Sequence, residues 1–334
     1  MRWNHGFTSA FYGYVVDPIT WRELERFEIV GGEINRSGDG LQESADIQTA
    51  KRRQESEQYI RIYLDAEQGG TREHVPLFTG LACSPGRETE DGFESNTLEC
   101  YSVLKAADDM QLPRGYFVGR GTSAGVAVKE LLSVLPAPIS IEGITPSLSS
   151  HLLAEDEETR LSMAQKVLGA INWKLRINGR GEILISAHSD APKVILDPRG
   201  NDVIQQNIEI EHDWYAAPNV FRAISDSETA VARDESESSP LSIINRGREV
   251  WVSDTSPDLN SSESLAEYAL RRLKELQNVS MKVSYDRRFI PDINVNDVIT
   301  LHYPEIGLDG DYRIHSQKIE LEYGATVSEE AELV

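Results

Sequence analysis

Cysteine is scarce in this chain, and so are long apolar runs and positive charge. The 334 residues include two cysteines, Cys83 and Cys100. Two thiols can form at most one disulfide bond, so a disulfide framework and a cysteine-rich zinc site are excluded. So few thiols in a chain of this length are typical of a reducing compartment, although a single bridge between the two stays open.

Apolar runs in the sequence are short. The best one starts at Gly125, contains Lys129 and Glu130 and is broken by Pro136. It therefore falls short of the ~20 apolar residues that a membrane-spanning helix needs. The N-terminal residues also lack the apolar run and small-residue cleavage site of a secretory signal. The sequence predicts a protein that has no membrane segment and is made and kept inside a cell.

Basic residues are outnumbered by acidic ones. The chain has 33 Lys and Arg against 55 Asp and Glu, which gives a formal net charge of −22. A surface of this sign repels phosphate backbones, which makes sequence-specific binding of nucleic acid improbable. The seven histidines show no pair at metal-binding helical spacing. We therefore predict no metal site.

Three segments imitate functional motifs without fitting them. Residues 119–125 run G-x-G-x-x-x-G, which differs from a dinucleotide-binding loop in spacing, and no βαβ pattern surrounds them. Ser186, His188 and Asp190 have the residue types of a nucleophilic triad, but alternate residues of an extended segment lie about 7 Å apart, too far for a relay. The acids between Asp254 and Glu263 lack the glycine and spacing of a calcium loop. We predict no catalytic residue and no cofactor.

Strand patterns dominate residues 1–105. The clearest strand covers residues 59–64, where Ile60, Ile62 and Leu64 alternate with Tyr59, Arg61 and Tyr63. This alternation predicts a half-buried strand. Further strands are predicted at 31–36, 45–49, 74–82 and 96–104, and Pro76 is expected at a sheet edge or strand start. Five short strands predict a small N-terminal antiparallel barrel or sandwich.

Residues 106–200 predict a small α+β insert. One short helix is capped by Ser123 and ended by Pro136, a second covers 161–171, and a hairpin joins 173–177 to 182–186. From 201 to 334 strands return at 298–303, 312–315 and 318–323, with Asp309 and Gly310 as turn residues. The predicted fold class is α+β, mostly β, with two barrel-like tube-type domains flanking the insert.

The best-signalled helix covers residues 262–277. Ser264 and Glu267 match a capping box. An apolar stripe, predicted to pack on the second barrel, consists of Leu265, Ala269, Leu273 and Leu276. Basic residues near the C-terminal end are candidates for contacts between subunits: Arg271, Arg272 and Lys274.

Turn, strand and packing segments along nearly the whole chain carry a resemblance to a known family. They are residues 31–37 (GGEINRS), 41–46 (LQESAD), 78–81 (FTGL), 98–105 (LECYSVLK) with 112–115 (LPRG), 219–223 (NVFRA), and 285–289 (YDRRF) with 295–299 (VNDVI). With the order of barrel, insert and barrel, the chain resembles the baseplate or tail-tip hub proteins of tailed bacteriophages and related contractile injection particles. None of these segments is a catalytic motif, so the resemblance concerns architecture.

The resemblance implies a homotrimeric ring that joins the six-fold tail tube to the three-fold tip, with two barrel-like domains per subunit giving six similar positions. Its partners would be the tail tube and distal tail proteins and the tail-tip spike or fibre proteins. DNA would pass through the channel without specific binding, and acidic groups lining the bore would repel its backbone. The implied location is the phage tail of the virion, assembled in the bacterial cytoplasm.

Two other classes of function stay open from the sequence. A tail-associated peptidoglycan hydrolase would need a cleft with a perturbed carboxylate or a zinc site. A receptor- or carbohydrate-binding adhesin would use exposed aromatics, for which Trp3, Trp21, Trp214 and Trp251 are candidates. Large aromatic residues in barrels are more often part of the core.

Overall fold

The computed structural model describes residues 1–49, 56–90, 93–197, 204–212, 214–215, 217–225, 228–255, 264–277 and 281–334. The strands are β1 (Thr8–Val16), β2 (Glu23–Ile29), β3 (Gly31–Ser37), β4 (Glu43–Thr49), β5 (Gln58–Gln68), β6 (Thr71–Glu90), β7 (Phe93–Ser102), β8 (Phe117–Val118), β9 (Ile139–Ile141), β10 (Leu152–Leu153), β11 (Trp173–Ile177), β12 (Ile183–Ala187), β13 (Pro192–Leu196), β14 (Ile204–His212), β15 (Val220–Ile224), β16 (Thr229–Arg233), β17 (Trp251–Asp254), β18 (Met281–Arg287), β19 (Val298–Tyr303), β20 (Leu308–Glu320) and β21 (Val327–Leu333). The α-helices are α1 (Lys105–Asp108), α2 (Ala124–Leu131), α3 (Arg160–Gly169), α4 (Ile243–Arg246) and α5 (Leu265–Gln277).

Two compact units make up the chain. The first contains residues 1–208 with 284–332 and 334, and the second contains residues 209–283 with 333. The chain leaves the first unit within β14 and returns to it within β18. The predicted domain boundary at residue 200 lies outside the described residues, and the division at residues 105 and 200 stays a prediction.

One large sheet organises the first unit. Its order is β14-β18-β21-β20-β3-β4-β7-β6-β5-β1-β2, with β19 beside β20 and β13 beside β19. Strand β20 pairs with β19 along residues 308–313 and with β3 along residues 316–320, so N-terminal and C-terminal strands share the sheet. In the part of the chain that the structure describes, these pairings form an open path. The mostly-β class is confirmed, while the arrangement as two barrels stays a prediction.

Strand β5 is the clearest predicted strand, and both of its faces are buried. Ile60, Ile62 and Leu64 lie in the main core of the unit. On the opposite face, Arg61 is only 6% exposed, because it donates hydrogen bonds to the Thr79 hydroxyl, to Glu23 and to the Arg180 carbonyl. The strand is therefore confirmed, whereas the prediction of half-burial is wrong. A polar face can be buried when its hydrogen bonds are satisfied within the protein.

Proline 76 lies inside β6, which is twice as long as predicted. This strand pairs with β5 along residues 71–82, and its pairing with β7 begins at Gly80. At Pro76, β6 is therefore paired with β5 on one side and has no described strand on the other. The residue also lies next to an irregularity in the register with β5. The missing N–H of proline is tolerated at such a position. The prediction of an edge site is confirmed, but the strand does not start there.

The elements predicted for the middle region are confirmed. Helices α2 and α3 occur, and the hairpin of β11 and β12 pairs Trp173 with Ala187. Residues from both helices and from the hairpin form a separate hydrophobic core that includes Val128, Leu168, Leu175 and Ile185. Ser123 precedes α2 with the extended backbone of a helix cap, but its side chain makes no capping hydrogen bond.

The C-terminal strands differ from the prediction. Residues 312–315 and part of 318–323 belong to one continuous strand, β20. Asp309 and Gly310 do not form the turn, because they pair with His302 and Leu301 inside the sheet. The turn is made by a short 3₁₀-helix at Pro304–Ile306 that ends at Gly307, whose φ is +81°. Strands β1, β2 and β21 were not predicted.

The second unit has its own small sheet and core. Its strand order is β16-β15-β17, and α5 packs on the face that carries Phe221, Ala223 and Ala232. Ser264 and Glu267 form the predicted capping box, since the Glu267 amide donates to the Ser264 hydroxyl and the Ser264 amide donates to the Glu267 carboxylate. In the described residues, no helix combines the length and the apolar character needed to cross a bilayer.

Candidate functional site

Four carboxylates lie side by side across four neighbouring strands of the large sheet. Glu320 of β20 is opposite Glu33 of β3, Glu33 is opposite Asp46 of β4, and Asp46 is opposite Glu99 of β7. We call these four residues the carboxylate ladder. Like charges directly opposite each other on paired strands are destabilising, so the row has a cost for the fold.

Strand alternation places the ladder on the face opposite the core. Ile34, Ile47, Leu98 and Ile319, which neighbour the four acids in sequence, are almost completely buried in the main core. Because successive side chains of a strand point to opposite faces, the acids lie on the other face. Asp46 and Glu99 are exposed, and Glu33 and Glu320 are partly exposed.

A single lysine compensates part of the ladder. Lys318 Nζ lies 2.7 Å from Glu33 Oε2 and 2.8 Å from Glu320 Oε1. The hydrogen bond from Lys318, with a second one from Asn35, lowers the pKa of Glu33 below its usual value. Desolvation and the nearby charges of Glu99 and Glu33 raise the pKa of Asp46. The β20 side of the ladder is thus partly neutralised, while Asp46 lies among negative charges.

The ladder lines a groove of about 740 Å³ that also includes Gly31, Gly32 and Gly86. Gly32 has φ +129°, and a Cβ atom there would lie 2.1 Å from the Asp46 carbonyl oxygen. Glycine is therefore required for the close approach of β3 to β4. The groove is lined by apolar and uncharged polar residues and by acids, without a basic residue among the described residues that line it, so its chemistry suits repulsion of anions more than binding of them.

Charges on the core side of the same sheet, carried by the neighbouring strands β18 and β21, form a second, buried group. Arg287 Nη2 lies 2.6 Å from Glu329 Oε1, and the exposed fractions of the two side chains are 1% and 0%. Tyr285 and Gln317 donate further hydrogen bonds to Glu329 at 2.7 Å. This group is closed from solvent, so it supports the fold and offers nothing to a partner.

The residues of the predicted helix site all lie on α5 in the second unit. Leu265, Ala269 and Leu273 are buried against the small sheet, and Leu276 packs partly against the same cluster. Residues 262 and 263 of the predicted helix lie outside the described residues.

The basic residues of this helix face away from that core. Arg271 and Arg272 each form an ion pair with Glu275, at 2.9 and 2.6 Å. Lys274 is exposed. Their role in contacts between subunits stays a prediction.

Other candidates from the sequence give no catalytic arrangement in the structure. His188 Nε2 lies 3.1 Å from Asp190 Oδ1, but Asp190 also pairs with Arg313, which makes it part of an ion cluster. Both cysteines are free thiols, and burial raises the pKa of Cys100 strongly. Among the described residues no three His, Cys, Asp or Glu side chains are grouped to hold a metal ion. Of the acids between 254 and 263, Asp254 accepts from Tyr268, and Asp258 and Glu263 lie outside the described residues.

Sequence reasoning did not find the ladder. The strands that carry it were predicted, but each contributes one acid to it, and nothing in one strand shows which residue of another strand lies opposite. One sequence feature does indicate acids on the solvent face: each of the four is flanked on both sides by apolar residues or glycine, as in Ala45-Asp46-Ile47. The alternation shows on which face of its strand each acid lies. Which acids lie opposite each other depends on the pairing register, which is set by contacts distant in sequence.

Solved structures share this fold over its whole length. The tail protein from Neisseria meningitidis MC58 aligns over 98% of this chain and 97% of its own, with a TM-score of 0.68 and 13% identity. The 43 kDa tail protein of prophage MuSo2 from Shewanella oneidensis aligns over 97% of this chain and 98% of its own, with a TM-score of 0.66 and 13% identity. The chain has the fold of phage tail proteins. The resemblance predicted from the sequence is thus confirmed at the level of the fold.

A third similar structure comes from a bacterial complex. The Francisella PdpA-VgrG complex in its half-lidded state aligns over 98% of this chain and 58% of the matched chain, with a TM-score of 0.59 and 8% identity. No protein-family model matches the chain, and no curated protein matches it. The similarity is therefore one of fold.

Proposed function

We propose that this protein is a structural component of a phage tail or of a related injection apparatus. The observation that carries the proposal is the alignment of nearly the whole chain with nearly the whole of two tail proteins. At 13% identity the match concerns the fold alone. The proposed function therefore also depends on the surface, above all on the carboxylate ladder.

Within that apparatus, we place the chain as a hub: a homotrimeric ring between the tail tube and the tip. The N-terminal strands around β3 to β7 and the C-terminal strands β18 to β21 would be the two tube-type parts of each subunit, with the middle region off the ring. A closed ring would also protect strand edges such as that of β2 from unwanted pairing. Neighbours would be tail tube, distal tail and spike or fibre proteins.

The carboxylate ladder supports a channel for DNA. Each copy carries four in-register acids with Lys318 as the counter-charge, and the whole chain has a formal charge of −22. If the ladder faces the bore, three copies surround the channel with negative charge. A phosphate backbone would then pass without being retained, since electrostatic attraction to cations is the main source of non-specific DNA binding.

Charge reversal tests this role directly. We expect the purified wild-type ring to show no binding of double-stranded DNA at low salt. The triple variant Glu33→Lys, Asp46→Lys, Glu99→Lys should gain binding that weakens steeply with salt. The matched control, Glu142→Lys, Asp156→Lys, Glu157→Lys, changes the formal charge equally at exposed positions of the middle region. Equal DNA binding by the two variants would contradict a special role of the ladder.

Oligomeric state tests the hub itself. Native mass measurement should give a species of three times 37.3 kDa. A monomer or a two-fold dimer at micromolar concentration would contradict the ring. Under this proposal the protein is located in the virion tail after assembly in the host cytoplasm, and it has no catalytic role.

One observation favours a second function for the second unit. Of the candidate aromatics, Trp214 is 50% exposed and Trp251 is 44% exposed, whereas Trp3 packs edge-on against Phe7 and Phe289. The Arg222 and Arg233 guanidinium carbons lie 5.9 and 5.3 Å from the centre of the Trp251 ring. Exposed aromatic rings with polar neighbours are common at receptor-binding surfaces. Binding on a glycan array that is lost in Trp251→Ala would support receptor binding, and an array without signal would contradict it.

A further inference from the structure

A small cavity in the first unit is lined by three residues that each have, within the described part of the chain, one buried polar atom without a hydrogen-bond partner. It has a volume of about 30 Å³ and lies between β3, the start of β4, β11 and the loop of residues 294–296. Its lining includes Arg36, Glu43 and Arg176, and the atoms without a hydrogen-bond partner are Arg36 Nε, Glu43 Oε1 and Arg176 Nε. The cavity is large enough for one or two water molecules, or for an ion of similar size, since ~10–15 Å³ suffices for one water.

The two arginines are fixed by their other nitrogens. Arg36 Nη1 donates to Asn294 Oδ1 at 3.1 Å and to Gln317 Oε1 at 2.8 Å, and Nη2 donates to the Leu77 carbonyl. Arg176 Nη1 donates to Asp297 Oδ1 at 2.7 Å. Both Nε–H groups are therefore held in place and remain available as donors to the cavity.

The carboxyl of Glu43 is the third group at the cavity. Its side chain is 3% exposed, and the nearest oxygen lies 3.9 Å from Arg36 Nε, too far for a hydrogen bond. Desolvation by burial, only partly offset by Arg36, raises the pKa of Glu43 to about 8. Near neutral pH the carboxyl is mainly protonated and can donate a third hydrogen bond.

When Glu43 is neutral, Arg36 has no ion-pair partner of its own among the described residues, because the nearby Glu329 is paired with Arg287. Facing Glu43 are Arg36 from β3 and Arg176 from β11, while Ser37, Gln42 and the loop contribute neutral groups. Arg176 is paired with Asp297, which also binds Lys193. The acceptors of Arg36 are neutral amides and a carbonyl. A buried guanidinium without a counter-ion is costly, so an anion in the cavity would be favoured.

We propose that this cavity binds one monatomic anion of chloride size together with a proton on Glu43. The anion accepts hydrogen bonds from the Nε–H groups of Arg36 and Arg176 and from the protonated carboxyl. Because the ligands come from the sheet and from the hairpin strand β11, the bound ion links these two parts of the first unit. The site is independent of the proposed role in a phage tail.

Thermal unfolding in two sodium salts tests the site. Chloride should raise the Tm saturably at pH 6.5, whereas gluconate at the same concentration, which is too large for the cavity, should not. At pH 9.5, where Glu43 loses its proton, the difference between the salts should largely disappear. Equal shifts in both salts, or a chloride effect that is the same at both pH values, would overturn the proposal.

Two variants and one direct observation complete the test. Glu43→Gln keeps an N–H donor and cannot ionise, so its chloride effect should persist at pH 9.5, whereas the control Glu99→Gln should behave like the wild type. If Glu43→Gln does not fold, crystals of the wild-type protein grown in sodium bromide at pH 6.5 decide. An anomalous peak between Arg36 Nε and Arg176 Nε is expected, and water density alone at that position would overturn the proposal.

Discussion

Two groups of charged residues on opposite faces of the same sheet differ in what they do. The buried group around Arg287 and Glu329 has a partner for each charge and is closed from solvent. The carboxylate ladder places four acids in one row with a single lysine. The first arrangement is typical of charged residues that stabilise a fold. The second destabilises the fold, so a contribution to stability does not explain it and a function does.

Breaking the buried pair should have the largest effect on stability. Glu329→Gln leaves the Arg287 charge buried without a counter-ion, which we expect to lower the free energy of unfolding by about 3–5 kcal/mol. The double variant Arg287→Met, Glu329→Leu removes both charges and should recover much of the loss. Denaturant unfolding measures both, and a loss below 1 kcal/mol for Glu329→Gln would contradict the assigned role.

The helix of the second unit offers an internal comparison of buried and exposed positions. Leu273 is 2% exposed and Leu270 on the same helix is 47% exposed. Leu273→Asp should cost roughly 3 kcal/mol or more, because it puts a charge into the core. Leu270→Asp should cost little. Limited proteolysis within residues 209–283 follows the unfolding, and equal resistance of the two variants would contradict the packing of the stripe.

Removing one acid from the ladder should stabilise the protein. Asp46→Asn is expected to raise the free energy of unfolding at pH 7 by about 0.2–1 kcal/mol, because it removes a charge opposite two like charges. The raised pKa of Asp46 means that its ionised form is less favourable in the folded state than in the unfolded state. The benefit of the substitution should therefore be present at neutral pH and vanish as the pH falls toward the unfolded-state value. The control Asp156→Asn, at a highly exposed site, should show no such gain.

Removing the lysine should have the smallest effect and the opposite sign. Lys318→Met leaves Glu33 and Glu320 without their counter-charge and should lower stability by about 0.5 kcal/mol at low salt. The loss should shrink as salt screens the remaining acids. Unfolding at several ionic strengths tests this, and a loss that is independent of salt would show that Lys318 acts through packing of its aliphatic stem.

Local sequence patterns predicted individual helices and strands, whereas long-range strand pairing decided where the strands extend and where the turns lie. Alternation at 59–64, the capping box at Ser264 and the hairpin around Asn178 each depend on residues close in sequence, and all three occur. Asp309 and Gly310 have turn chemistry, but pairing of β19 with β20 places them inside a strand.

The candidate sites depend on partners remote in sequence. The ladder joins residues 33, 46, 99 and 320, and the cavity joins β3, β4, β11 and the loop of residues 294–296, so neither could be read from one segment. The acidic composition did indicate the chemical character of the exposed face.

Electron cryo-microscopy of the purified chain in its assembled state tests both the trimeric ring and the position of the ladder. We expect three copies around one axis, with the carboxylate ladder of each copy facing the bore and the middle region outside the ring. A particle in which Glu33, Asp46, Glu99 and Glu320 face the outer surface, or a preparation that contains only monomers, would contradict it.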